Sequence, residues 1–180
     1  MDTTVFFLKG LIVGFVIAAP VGPVGILCIR RTLTLGKLAG YTTGLGATAA
    51  DTIFGFVVAF GLGFVAAELI GLQDLLRAFG SILLCLIGGK TLFDHRVSTP
   101  ATPMRGNVIT NFASAFLITI TNPLTFISFA GIFAAIGIPD ITDDLTRGVV
   151  LIGGVFIGAG AWWSFLTTVA GFFRVRVTDV

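Results

Sequence analysis

Charge is what this sequence has least of. Asp, Glu, Lys and Arg make up 11% of its 180 residues, where a soluble domain carries about a quarter. With 56% hydrophobic residues, that shortage excludes a water-soluble chain or a soluble domain within it. Histidine occurs once, and the two cysteines, Cys28 and Cys85, form no CxxC pair. No cluster of His, Cys and carboxylates falls at one depth, so neither a metal nor a cofactor is expected, and each cysteine reads first as a small packing residue. The formal net charge of +2 leaves no basic surface for nucleic acid, which is not expected as a partner. The start, Met1 to Thr4, lacks the basic region of a secretory signal, and Pro20 falls where a cleavage site would have to be. The first apolar run therefore stays in the protein.

What the sequence does have is apolar runs of about 20 residues or more, enough to cross hydrocarbon. Five are read: Val5–Ile29, Leu38–Ala67, Leu75–Phe93, Val108–Ile138 and Gly148–Phe173. The fold class is all-α, a polytopic transmembrane helix bundle forming one integral membrane domain over 1–180, with the lipid bilayer as its surroundings. Basic residues favour the cytoplasmic side of short loops. Arg30, Arg31 and Lys37 follow the first run, Lys90, Arg96 and Arg105 the third, and Arg174 and Arg176 the fifth. The second loop holds Glu68 and Asp74 with only Arg77 basic, and the fourth Asp140, Asp143 and Asp144 with only Arg147. This places the N-terminus outside and the C-terminal tail inside a cytoplasmic (inner) membrane.

Residues 94–107 read as a cytoplasmic linker, with Pro and Ser/Thr between Ser98 and Pro103 and a surface His95. They separate a first repeat of three helices, 1–93, from a second, 108–180. Three helices per half make an inverted 3+3 repeat. By that logic a sixth helix should follow Phe173, and the expectation is that this last helix is missing.

Two places interrupt the runs. Pro20, Gly22 and Pro23 stand deep in the first, and Asn122-Pro123 stands in the fourth. Proline removes a backbone donor where no water can replace it, so these breaks either line a solute pathway or kink a helix for packing. Helices restarting after Pro23 and Pro123 would aim N–H groups at a cavity and suit a carboxylate. Asn122, with Thr119, Thr121 and Thr125, either reads a polar ligand or satisfies the kinked backbone. Asp51 is the acid at mid-depth, where an ionised carboxylate costs on the order of 3 kcal/mol. It either exchanges a proton for a substrate ammonium or accepts bonds from backbone freed at the prolines. Small residues at four-residue steps, Gly10 and Gly14, Gly40 and Gly44, Gly154 and Gly158, mark helix contacts. Trp162 and Trp163 lie well inside the fifth run, against a cavity wall or a partner chain.

The order Ala19-Pro20-Val21-Gly22-Pro23-Val24-Gly25, Arg30-Arg31-Thr32-Leu33, Gly36, Gly44-Leu45-Gly46-Ala47, Asp51 and Asn122-Pro123 resembles the lysine exporter (LysE/RhtB) family of amino-acid exporters. The resemblance implies a small inner-membrane protein of about six helices, a homodimer, not an enzyme, that exports amino acids by proton antiport. It places Pro20, Gly22, Pro23, Asp51, Asn122 and Pro123 at the central site, with Asp51 coupling the proton. Two other functions remain open. One is divalent metal-ion export, for which a single Asp is a poor site. The other is a membrane thiol oxidoreductase using Cys28 and Cys85.

Overall fold

The computed structural model describes residues 3–20, 22–69, 107–135 and 145–178. The third apolar run (Leu75–Phe93), Cys85, His95, the acidic loop at Asp140–Asp144 and the linker up to Gly106 lie outside the described residues. Six helices carry the rest: α1 (Thr3–Ala18), α2 (Pro23–Leu35), α3 (Lys37–Leu69), α4 (Val108–Ile120), α5 (Pro123–Ala135) and α6 (Leu145–Thr178).

The two interrupted runs are broken helices. After Ala18 the chain leaves helical geometry, and it resumes with Pro23 in the first position of α2, where a missing N–H costs nothing. The axes of α1 and α2 differ by 79°. The second break follows the same chemistry. Thr121 closes α4, Pro123 opens α5, and the Asn122 side chain accepts a hydrogen bond from Leu124 N–H at 3.1 Å. Here the axes differ by 63°. At the other end of α2, Gly36 adopts φ 102° and ψ 172°, a conformation open almost only to glycine. Its N–H bonds back to Thr32 O at 3.1 Å while its own carbonyl accepts from Ala39 N–H, so α3 starts with almost no loop.

Two helices, α3 and α6, are each long and apolar enough to cross a membrane, and the count is four if each bent pair is one span. The fifth expected span is the one outside the described residues. Burial runs opposite to that of a soluble protein. Leu8, Ile12, Leu45, Phe56, Leu117 and Phe165 are exposed, while Arg31, Thr43, Thr48, Asp51, Asn111 and Thr119 are buried. Apolar side chains outside and polar ones inside suit a chain whose solvent is hydrocarbon. Thr32, Thr43 and Thr48 spend their hydroxyl hydrogens on their own helix, as Thr48 does on Gly44 O at 2.9 Å.

Helix α3 runs through the centre, against α4, α6 and α2, while α1 lies along α6. The α1–α6 contact is backbone to backbone. A Cβ on Gly10 or Gly14 would collide with the carbonyl oxygens of Leu151 or Val155, and one on Gly154 or Gly158 with those of Phe7 or Leu11. Gly40 is closed in by Thr32 and Thr167, and Gly44 by the Trp163 side chain. Gly46 meets the Phe112 carbonyl, which lets α4 approach α3. Two apolar clusters result. Phe54, Val58, Phe129, Phe133, Leu151 and Val155 build the larger, and Ala18, Cys28, Ala47, Ala159 and Trp163 the smaller.

Candidate solute site

Asp51 falls between those clusters, one turn from Phe54 in one direction and from Ala47 in the other. Only 3% of it is exposed. It faces a cavity of about 70 Å³, several times the roughly 10–15 Å³ that one water requires. The walls come from both helix breaks and from the two long helices. Pro20, Gly22, Pro23 and Gly25 border it from the first break, Thr119, Asn122 and Thr125 from the second. Asp51 comes from α3 and Trp163 from α6. Of the residues expected at the centre, Pro23 and Asn122 are thus beside Asp51, whereas Pro123 is not part of the lining. Gly22 has ordinary extended backbone, φ −95°, and an added Cβ there would meet no atom within 4 Å.

The lining is under-satisfied. The side chain that bears on the Asp51 carboxylate is Trp163, from α6. Trp163 Nε1 and Thr119 Oγ1 are buried without partners. The indole N–H stands near enough to bear on the Asp51 charge but short of hydrogen-bond geometry. A buried polar group without a partner costs about 1–3 kcal/mol, so two in one cavity, beside a buried carboxylate, call for waters or a polar guest. Both α2 and α5 begin at its edge, and their first-turn N–H groups lack intrahelical acceptors, except that Asn122 already holds Leu124 N–H. The cavity therefore presents an acid on one wall and positive helix ends on two others. That is the polarity a zwitterion needs.

The protein-family comparison bears on the chain as a whole. The LysE type translocator model matches residues 15–179, from the end of α1 through α6. The chain belongs to the LysE type translocator family. It is therefore a translocator, and its apolar exterior fits an integral membrane protein. Among curated proteins, it is 31% identical over 173 residues to the "Putative amino acid efflux protein YcgF" of Bacillus subtilis (strain 168). That match covers 93% of this translocator and 81% of the relative. No solved structure matches it.

The other two chemistries have less to stand on. Cys28 is fully buried, its sulfur 3.4 Å from Thr167 Oγ1 and 3.6 Å from the Gly40 carbonyl, a packed thiol at the α2–α3–α6 junction. Among the described residues no three His, Cys, Asp or Glu side chains stand together. Trp162 lies edge-on to Phe15 at 5.3 Å, so the tandem tryptophans split between the α1 contact and the cavity.

One sequence expectation needs correction. Arg31 was placed among the loop charges after the first run, but α2 continues to Leu35 and Arg31 is 6% exposed inside the bundle. Its Nη1 donates to Thr43 Oγ1 at 3.2 Å and to the Asn111 carbonyl at 3.1 Å. Asn111 was not singled out from sequence at all. The available signal was spacing, since Val24 and Arg31 are seven residues apart and so share one helical face.

Proposed function

We propose that this translocator exports amino acids, or similarly small zwitterions, from the cytoplasm in exchange for protons. The reading rests on one observation: Asp51, buried on α3, shares a cavity with the starts of two broken helices. The cargo ammonium pairs with Asp51, and its carboxylate faces the N-terminal ends of α2 and α5. Trp163 closes the apolar side and Thr119 adds a hydroxyl. A proton arriving from outside neutralises Asp51 and releases the ammonium, and proton loss to the cytoplasm resets the site. Each half of the chain offers a bent pair followed by a long helix, α1–α2–α3 and α4–α5–α6, which supports a repeat rocking about that cavity, and a crossing by the apolar run Leu75–Phe93 between the halves would invert it. With Arg30 and Lys37 on the cytoplasmic side, the N-terminus is outside and the membrane is the inner one. The working unit is taken as a homodimer, with 1–180 as one membrane domain.

Counter-flow tests this directly. Purified protein in liposomes, loaded with each of the twenty amino acids in turn, is expected to exchange a chemically related subset. An imposed proton gradient should drive that subset uphill, and a protonophore should abolish the drive. Exchange of none of the twenty would contradict the export reading. Uphill movement unaffected by the protonophore would contradict proton coupling alone.

A further inference from the structure

We infer that Arg31 is a second anion site, which takes the carboxylate of the cargo before it reaches Asp51. The inference rests on the export reading above and adds a step to it.

The guanidinium is nine-tenths buried and has no acidic partner among the described residues. Both of its hydrogen bonds leave from Nη1, to a hydroxyl and a carbonyl. Its Nε is buried and unpartnered. The edge of a guanidinium that includes Nε can bind a carboxylate through two parallel hydrogen bonds. Asn111, whose carbonyl the same guanidinium holds, keeps its side-chain Oδ1 buried and unpartnered too. A cation in the bundle interior costs several kcal/mol unless an anion joins it. Nothing in the described chain supplies that anion, and a zwitterionic cargo would.

The position of Arg31 relative to the cavity fits a relay. On α3, Thr43 touches Arg31 and Asp51 faces the cavity, eight residues or about 12 Å apart. On α4, Asn111 and Thr119 repeat that separation, and on α2 Val24 and Arg31 stand seven apart. Two helices thus carry a polar residue at both stations, and α2 sets Arg31 at one and the apolar Val24 at the other. The buried residues between them are no larger than threonine: Gly44, Gly46, Ala47, Thr48 and Ala50 on α3 and Ala115 on α4. Arg31 lies towards Lys37, the end taken here as cytoplasmic, so a carboxylate entering from that side meets the guanidinium first. Transfer then exchanges the guanidinium for the helix N-termini as the ammonium reaches Asp51.

The test compares acids with their decarboxylated amines. Liposomes containing wild type, Arg31→Lys or Arg31→Gln are loaded with an equimolar mixture of the twenty amino acids and the amines that lack each α-carboxylate. Efflux of every species is read by mass spectrometry. The acid-to-amine ratio is independent of how much protein folds, so a poorly folding variant still reports. Wild type is expected to export the acids at least tenfold faster than their amines. Arg31→Gln should lower that ratio by about tenfold and raise the half-saturating acid concentration similarly, the worth of one charge-assisted hydrogen bond. Arg31→Lys, which keeps charge without the planar fork, should fall between. Wild-type efflux with an unchanged ratio in Arg31→Gln overturns this inference and leaves the export reading standing. Absence of any wild-type efflux overturns both.

Discussion

Asp51→Asn is expected to lower gradient-driven efflux by about 100-fold, the loss of one charge-assisted interaction worth up to ~3 kcal/mol. The same variant is expected to fold at least as well as wild type. The amide keeps an acceptor oxygen towards the Trp163 side chain, so the change orphans no donor there. Removing an ionisable group from this depth also lifts an insertion penalty on the order of 2–3 kcal/mol. The two readouts therefore move in opposite directions. A purely structural carboxylate would give the reverse, with lower melting temperature and efflux reduced only in proportion to folded protein. Efflux and thermal stability measured on one preparation separate the two.

The second large effect concerns the α1–α6 seam. Gly158→Ala adds a single carbon, yet that carbon would collide with the Leu11 carbonyl and crowd Phe15 N at 3.0 Å. Backbone cannot step aside as a flexible side chain can, so the helices must separate along their whole contact. A cost of about 3 kcal/mol or more is expected, at the upper end for overpacking. It should appear as a melting temperature lowered by several degrees and a sharp fall in purified yield. Gly153→Ala is the matched control on the same helix, because its added carbon meets nothing within 4 Å. There the substitution should be neutral or stabilise by up to about 1 kcal/mol, since alanine is the better helix former. Equal behaviour of the two variants would mean that α1 and α6 do not touch at these glycines.

How much of this was legible in the sequence depends on the range of the interaction. The breaks at Pro20–Pro23 and Asn122–Pro123 follow from local backbone chemistry, and the helices stop there. Asp51 stood out because nothing else acidic falls at its depth in the run. Glycine spacing marks a surface for close approach but not its partner. Gly10 and Gly14 meet α6, while Gly40 and Gly44 face Thr32 and Trp163, pairings between residues more than a hundred positions apart or across a tight turn. Arg31 misled for a related reason. A charge after an apolar run reads as a loop residue, and only packing against Thr43 and Asn111 reveals that α2 carries it back inside. Trp163 was seen as a cavity or partner residue. Its place opposite Asp51 depends on how α3 and α6 cross, which no local pattern encodes.

Solvent access to the cavity tests the central claim most directly. In a Cys28→Ala, Cys85→Ala background, Thr119→Cys places a thiol on the cavity wall, and Leu117→Cys places one on the exposed apolar face, where the native side chain is 58% exposed. Both are treated in membrane vesicles with a membrane-impermeant thiol reagent, from each side in turn. Thr119→Cys is expected to react from at least one side and to be protected by the amino acids that counter-flow identifies, while Leu117→Cys stays unreacted in lipid. A Thr119→Cys thiol as inert as that of Leu117→Cys, with or without amino acids present, would contradict a solute site between the two broken helices.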